Sequence, residues 1–341
     1  MTATDNLSAE LLAELRRAPT ADTDAAAAVS ERAANILRPA GALARLDQLA
    51  VWIAAWQRTA APSVERPAAV IFAGDHGVVA EGVSAYPPDV TAAMVETFNE
   101  GVASVSAIAH VAGAAVHVVD VGVGRPTGNL RIEPALTSER FVECFDAGRE
   151  AARQTDADLL IVGEMGIGNT TAASAICMAL LGDSHPADIF TGPGTGVDAA
   201  ALANKRNVVA DAVARLGAVR DPFTVMREVG GSELVAMAGA YAEARLRSVP
   251  VLLDGYIATA AALALHRLDA DFLSNARAGH RSAEPGHRAV LDHMELTPLL
   301  DLDLRLGEAS GAMAAVPLVQ MGCRLVTHVP TFAERFGTGA P

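Results

Sequence analysis

Aromatic side chains are scarce in this chain, at 4% of 341 residues. Its core must therefore be built from Ala, Val, Leu and Ile, and such small side chains let helices lie close to a sheet. Cysteine is nearly absent as well. Cys144, Cys177 and Cys323 stand far apart, with no CxxC and no Cys/His cluster. That excludes a disulfide framework and a zinc site, and suits a reducing compartment. An excess of positive charge is missing: the formal net charge is −14. Neither nucleic acid nor an acidic membrane is an expected partner, because both attract Lys and Arg. Long hydrophobic runs are lacking, so no segment is expected to span a bilayer. The opening MTATDNLSAELLAELRR has no basic start followed by an apolar core, hence no signal peptide. These absences point to a cytoplasmic protein, and neither a metal nor a cofactor is expected.

What is plentiful is apolar residues, at 51%. They suffice for one large α/β domain, or one with a smaller subdomain. Residues 8–17, 24–37 and 43–56 read as helices, the last with apolar positions at 46, 49, 50, 53 and 56. After a linker at 61–67 the pattern changes. Short apolar runs at 68–73, 115–120, 158–163 and 249–254, and a weaker one at 271–274, alternate with helical stretches at 90–112, 139–154, 172–181 and 257–265. Near-continuous apolar strands alternating with helices imply a parallel sheet covered on both faces. Ligands of such sheets sit beyond the carboxyl ends of the strands. Asp75, His76, Asp120, Glu164 and Asp254 fall at those ends. The tail at 337–341 reads as frayed.

The most informative joint is Asp158–Thr171, a strand that breaks into Glu164-Met165-Gly166-Ile167-Gly168-Asn169-Thr170-Thr171 and then an Ala-rich helix. Glycines let the backbone turn sharply, and a helix N-terminus offers free N–H groups to a phosphate. A carboxylate beside a phosphate cradle suggests chemistry on a phosphorylated small molecule. The alternative is a tight helix entry capped by Asn or Thr. Neither GxxxxGK[ST] nor a full GxGxxG with its acid is present, so the standard nucleotide loops are excluded. A second cluster, Gly192-Pro-Gly194-Thr195-Gly196, precedes a helix carrying Lys205. The two loops together can wrap one ligand, with Lys205 supplying positive charge; separately, each is a surface turn. Asp75-His76 fits a general base, a metal ligand or a structural turn, and the last is the commoner. Tyr86 and Met94 wall an apolar slot for a flat ring or belong to the core. The polar loop 279–287 contains Ser282. Finally, Glu308 sits between Leu306 and a run of tiny residues opening a helix. It is either a base made stronger by apolar surroundings or a first-turn acid facing the helix dipole.

Eight blocks, AGDHGV (73–78), GVSAYPPDVT (82–91), GEMGIGNTT (163–171), TGPGTGVD (191–198), EVGGSE (228–233), LLDGY (252–256), SAEPGH (282–287) and LGEASGAMAA (306–315), resemble the nicotinate-nucleotide–dimethylbenzimidazole phosphoribosyltransferase family. The resemblance implies a Rossmann-like, mostly parallel sheet covered by helices (41–315). It adds a small helical domain built from both chain ends (1–40 with 316–341), and a homodimer. It implies transfer of a 5-phosphoribosyl group from nicotinate mononucleotide to a benzimidazole-type base, with Glu308 as catalytic base. Glu164 and Lys205 would sit near the reacting ribose. Gly166, Gly168, Asn169, Thr170, Gly194, Thr195, Gly196 and Ser282 would hold phosphate and ribose. Tyr86, Met94, Met165 and Leu306 would line the base slot; relatives vary at the positions of Tyr86 and Met94. Rival readings are a dehydrogenase or kinase, which the missing nucleotide loops oppose, and a catalytically silent nucleotide-binding or regulatory protein of the same fold, which the intact acids and lysine oppose.

Overall fold

The structure is a computed structural model describing residues 3–182, 184–194 and 196–337. Helices α1 (Ala3–Leu15), α2 (Thr23–Asn35) and α3 (Ala44–Gln57) lead into strand β1 (Pro67–Gly74). Then follow α4 (Val90–Asn99), α5 (Ser104–Ala112), β2 (Ala115–Gly122), α6 (Ser138–Gln154), β3 (Leu159–Met165) and α7 (Asn169–Leu181). Next come α8 (Ala199–Leu216), α9 (Pro222–Val229), α10 (Ser232–Leu246), β4 (Val251–Leu253), α11 (Tyr256–Leu268) and β5 (Ala276–Ala278). The chain closes with β6 (His280–Arg281), α12 (Pro285–His293), β7 (Leu300–Asp301), α13 (Ser310–His328) and α14 (Phe332–Phe336).

Five strands form one parallel sheet in the order β2-β1-β3-β4-β5. The chain runs outward from β1 to β2, then crosses back to β3. That reversal opens a crevice at the carboxyl ends of β1 and β3. Side chains alternate between the two faces, as strand geometry requires. Val70 and Phe72 of β1 and Leu160 and Val162 of β3 join the larger core, under α6, α7, α10 and α11. Ala69, Ile71, Leu159 and Ile161 join the second core, under α3, α5 and α13. The scarcity of aromatics is met by close helix contacts. A Cβ at Gly148 of α6 would lie 1.8 Å from the Ala236 carbonyl oxygen, and one at Gly239 of α10 would lie 2.0 Å from that of Phe145. Each helix thus has a glycine notch that receives the other's backbone.

At the chain ends, Val29 and Ala33 of α2 meet Ala50 and Ala54 of α3 and Val326 of α13 in a small cluster. Ile36 bridges to Thr331, and Arg32 pairs with Glu334 at 2.8 Å. In contrast, Leu7, Leu11 and Leu15 of α1 pack into the larger core. Cys144, Cys177 and Cys323 are buried and unbonded. No helix among the described residues is long and apolar enough to cross a membrane.

Two expected elements differ. The stretch at 90–112 is two helices, because the chain turns at Gly101 with φ of +72°. The run at 271–274 is part of a 3₁₀ turn, Ala270–Leu273, started by the Asp269 carboxylate accepting from the Asp271 amide; the strand begins later, at Ala276. The tail at 338–341 lies outside the described residues.

Gly148→Ala is expected to destabilise the fold. Alanine's better helix propensity contributes about 1 kcal/mol, but the overlap with Ala236 costs about 1–3 kcal/mol or more. A thermal melt checks it; a midpoint at or above that of the parent would contradict the packing described.

Candidate active site

A cavity of about 610 Å³ opens at the carboxyl ends of the central strands. Its residues come from the β3–α7 turn, the start of α11, the β6 segment, the 303–308 turn and the loop before α4. Such a volume suits a small organic ligand. At one side Tyr86, Met94, Met165 and Leu306 give an apolar wall, with Val90 and Ile167 beside them. Tyr86 and Leu306 are about half exposed at the mouth, at 49% and 48%. The wall is tied to the turn by Thr91, whose hydroxyl accepts from the Ile167 amide at 3.3 Å.

Two glycines bring the acids together. A Cβ at Gly163 would lie 2.4 Å from the Ala309 amide nitrogen, so only a strand without a side chain there lets the 307–309 turn rest on β3. A Cβ at Gly307 would lie 2.4 Å from Glu164 Oε1. Gly307, Glu308 and Ala309 all adopt left-handed backbone, with φ of 86°, 61° and 64°. This conformation is strained for the two residues with side chains, and such strain persists only where surroundings enforce it. One enforcing contact is the Asp254 carboxylate, which accepts from the Ala312 amide at 2.8 Å in the first turn of α13.

Burial, with Asp254 adding to it, raises the Glu308 carboxyl from 4.5 to about 7. Its carboxylate has no hydrogen-bond partner among the described residues and lines the cavity. Glu164 is pushed well above the usual carboxylate range, mainly by burial and also by Asp254, Glu233 and Glu308; the Asn169 side chain partly opposes this, donating to Glu164 Oε2 at 2.5 Å.

The glycine loops meet through Lys205. Its Nζ donates to Thr170 Oγ1 at 2.8 Å and to the Gly192 carbonyl at 3.2 Å. A Cβ at Gly194 would sit 3.4 Å from that nitrogen. Burial lowers Lys205 to about 8, against an opposing pull from Glu284. Glu284 is itself raised by burial and lies under the second loop, where a Cβ at Gly192 would fall 2.2 Å from Oε2. Ser282 is fixed by His287, whose Nδ1 accepts from the Ser282 amide at 2.9 Å. Burial drops His287 to about 3, so the ring is neutral; its N–H is then on Nε2, 3.0 Å from Thr259 Oγ1.

The cavity thus gathers Tyr86, Met94, Glu164, Met165, Gly166, Gly168, Asn169, Thr170, Gly194, Ser282, Leu306 and Glu308. Lys205 stands behind Thr170 and outside the lining. Gly196 is also away from the lining, and Thr195 lies outside the described residues. His76 does not face the cavity. It is fully buried against Glu233 at 2.6 Å, under Gly166 and Gly231. Its fit is structural, and no cluster of metal-ligating residues occurs among the described residues. His280, Glu284, Arg305, Gly255 and Tyr256 also line the cavity. The polar 279–287 loop signalled the first two; nothing in their spacing distinguished them from solvated residues.

A doubly wound sheet whose carboxyl ends open into a cavity of glycine turns and buried carboxyl groups has the architecture of an α/β enzyme acting on a small molecule. A family model described as phosphoribosyltransferase matches residues 18–335. Two relatives carry the name nicotinate-nucleotide–dimethylbenzimidazole phosphoribosyltransferase. One, from Cereibacter sphaeroides, is 46% identical over 317 residues, covering 93% of each chain. The other, from Methylorubrum extorquens, is 45% identical over 324 residues, covering 94% of each. The crystal structure of CobT from Thermus thermophilus matches with a TM-score of 0.87 and 44% identity, over 92% of this chain and 98% of that one. The chain belongs to the nicotinate-nucleotide–dimethylbenzimidazole phosphoribosyltransferase family and is a phosphoribosyltransferase.

The raised Glu308 carboxyl has a signed consequence for stability. A carboxyl whose folded-state pKa exceeds its unfolded value favours folding at low pH, and the advantage is lost as pH rises through about 7. Glu308→Gln is therefore expected to melt higher than the parent at pH 8, with the gap closing by pH 4. A gap that widens toward acid would mean that Glu308 is stabilised as the carboxylate.

Proposed function

We propose that this enzyme transfers the 5-phosphoribosyl group of nicotinate mononucleotide to 5,6-dimethylbenzimidazole or a related base, giving α-ribazole 5′-phosphate and nicotinate, with Glu308 as general base. The observation carrying this reading is the placement of Glu308, a largely buried carboxyl beside Leu306 at the apolar wall and without a partner among the described residues; that burial raises it to about 7. One ring nitrogen of the base attacks C1′ opposite nicotinate, inverting the β linkage to α. The C1′–nitrogen bond to nicotinate breaks, and its electron pair neutralises the pyridinium. The base's other ring nitrogen must lose its proton as the new bond forms, and Glu308 accepts it. One proton per turnover then leaves for solvent. No covalent enzyme intermediate is required.

The other assignments carry the family resemblance onto the residues around the cavity. The β3–α7 turn and helix start, with Gly166, Gly168, Asn169 and Thr170, and the second loop, with Gly194, Thr195 and Gly196, receive phosphate and ribose. Lys205 supplies charge through Thr170 and the second loop. Glu164, kept toward its neutral form, approaches the ribose without adding a full negative charge beside the phosphate. Holding both substrates in line supplies much of the remaining acceleration. Tyr86, Met94, Met165 and Leu306 clasp the flat base. The reading also includes a small helical domain (1–40 with 316–341) and a homodimer, both resting on family likeness, and a cytoplasmic location, resting on composition and cysteine usage.

Incubation with both substrates should release nicotinate; its absence would overturn the reading. Glu308→Gln is expected to lower kcat by about 10²- to 10⁴-fold while nicotinate mononucleotide binding stays near normal by calorimetry. A near-normal rate at neutral pH would remove Glu308 as base. In the parent, kcat/KM should fall as pH drops through about 7, because the base must be ionised; a flat profile from pH 8 to 5 would contradict the assignment.

A further inference from the structure

His280 is a cavity residue to which the proposed chemistry gives no task. It is 3% exposed, lines the cavity, and neither of its ring nitrogens has a hydrogen-bond partner among the described residues. Leaving such groups unsatisfied is costly inside a protein. The ring is held firmly. A Cβ at Gly311 would fall 2.2 Å from both Cδ2 and Nε2, and one at Gly255 would fall 3.4 Å from Nε2. Asp254 Oδ1 lies 3.4 Å from Nε2, beyond a full hydrogen bond, and that oxygen already takes the Ala312 amide. A polar ring is thus set in the cavity wall and incompletely matched by protein.

The chemistry around it limits what it can meet. Asp254 is adjacent, so an anionic group beside His280 would meet a second negative charge. The phosphate has its loops at α7, and the flat base has its apolar wall. What remains is a neutral group bearing both a donor and an acceptor. We propose that His280 is a substrate-binding residue that hydrogen-bonds a ribose hydroxyl of the phosphoribosyl donor, with Asp254 fixing the ring's tautomer. A neutral imidazole has one donor and one acceptor. Asp254 favours the proton on Nε2, and the acceptor nitrogen is left for a hydroxyl proton. This inference rests on the phosphoribosyl reading above and adds the donor's recognised group.

The test compares nicotinate mononucleotide with its 2′-deoxy and 3′-deoxy analogues in the parent, His280→Ala and His280→Asn. The parent is expected to lose about 10- to 100-fold in kcat/KM on one analogue. His280→Ala should lose a similar factor on the full nucleotide, mostly in KM for the nucleotide and not for the benzimidazole, and no more on that analogue. His280→Asn, which keeps hydrogen-bonding capacity, should recover part of the loss. If His280→Ala does not fold, His280→Asn carries the comparison: it must discriminate less than the parent. Equal discrimination by parent and variants, or none by the parent, overturns the role of His280. Failure of the parent to release nicotinate from the full nucleotide would instead overturn the phosphoribosyl reading.

Discussion

Crowding of carboxylates in a water-poor corner is the constraint on which the rest of this molecule depends. Glu164, Asp254 and Glu308 come from β3, the end of β4 and the approach to α13; Asp254 raises both of the others, and Glu308 adds to the effect on Glu164. Like charges so near one another are costly without water. The protein tolerates them because each is held differently. Asp254 is given to the Ala312 amide, Glu164 to the Asn169 side chain, and Glu308 is left open. That difference in partners separates an acid that supports α13, an acid held toward its neutral form and an acid raised to about 7.

The fold makes this crowding possible through missing side chains more than through added ones. Gly163 lets a turn lie on the middle of a strand, and Gly307 makes room for Glu164. The same device joins α6 to α10 at Gly148 and Gly239. A chain poor in aromatics has little bulk with which to fill gaps, so its backbones approach one another instead. The result is a stiff frame around a roomy cavity, a useful combination where two substrates must be aligned.

Much of this was legible in the sequence, for physical reasons. The strands of β1 and β3 are buried on both faces and so read as unbroken apolar runs. The 163–171 joint declared itself through glycine, a carboxylate and a helix start in immediate succession. Glu308 stood out as one charge in a field of tiny residues. What stayed hidden depends on distant partners. Nothing local to Lys205 says that it will be buried under Thr170, and His76 gives no hint of Glu233, 157 positions away. The single Gly101 inside an apolar stretch was too weak a signal to divide one helix into two. Phe272 and Leu273 are apolar in strand fashion, yet the Asp269 side chain turns them into a 3₁₀ segment.

The left-handed backbone at Glu308 and Ala309 has an evolutionary cost attached. Glycine or asparagine would relax the first of these positions, and removing a buried acid would relax it further. A lineage selected for heat tolerance alone would therefore find one of its readiest improvements at this carboxyl in the cavity wall. An acid in so strained a backbone is a standing cost in stability, one that only a use within the cavity would justify.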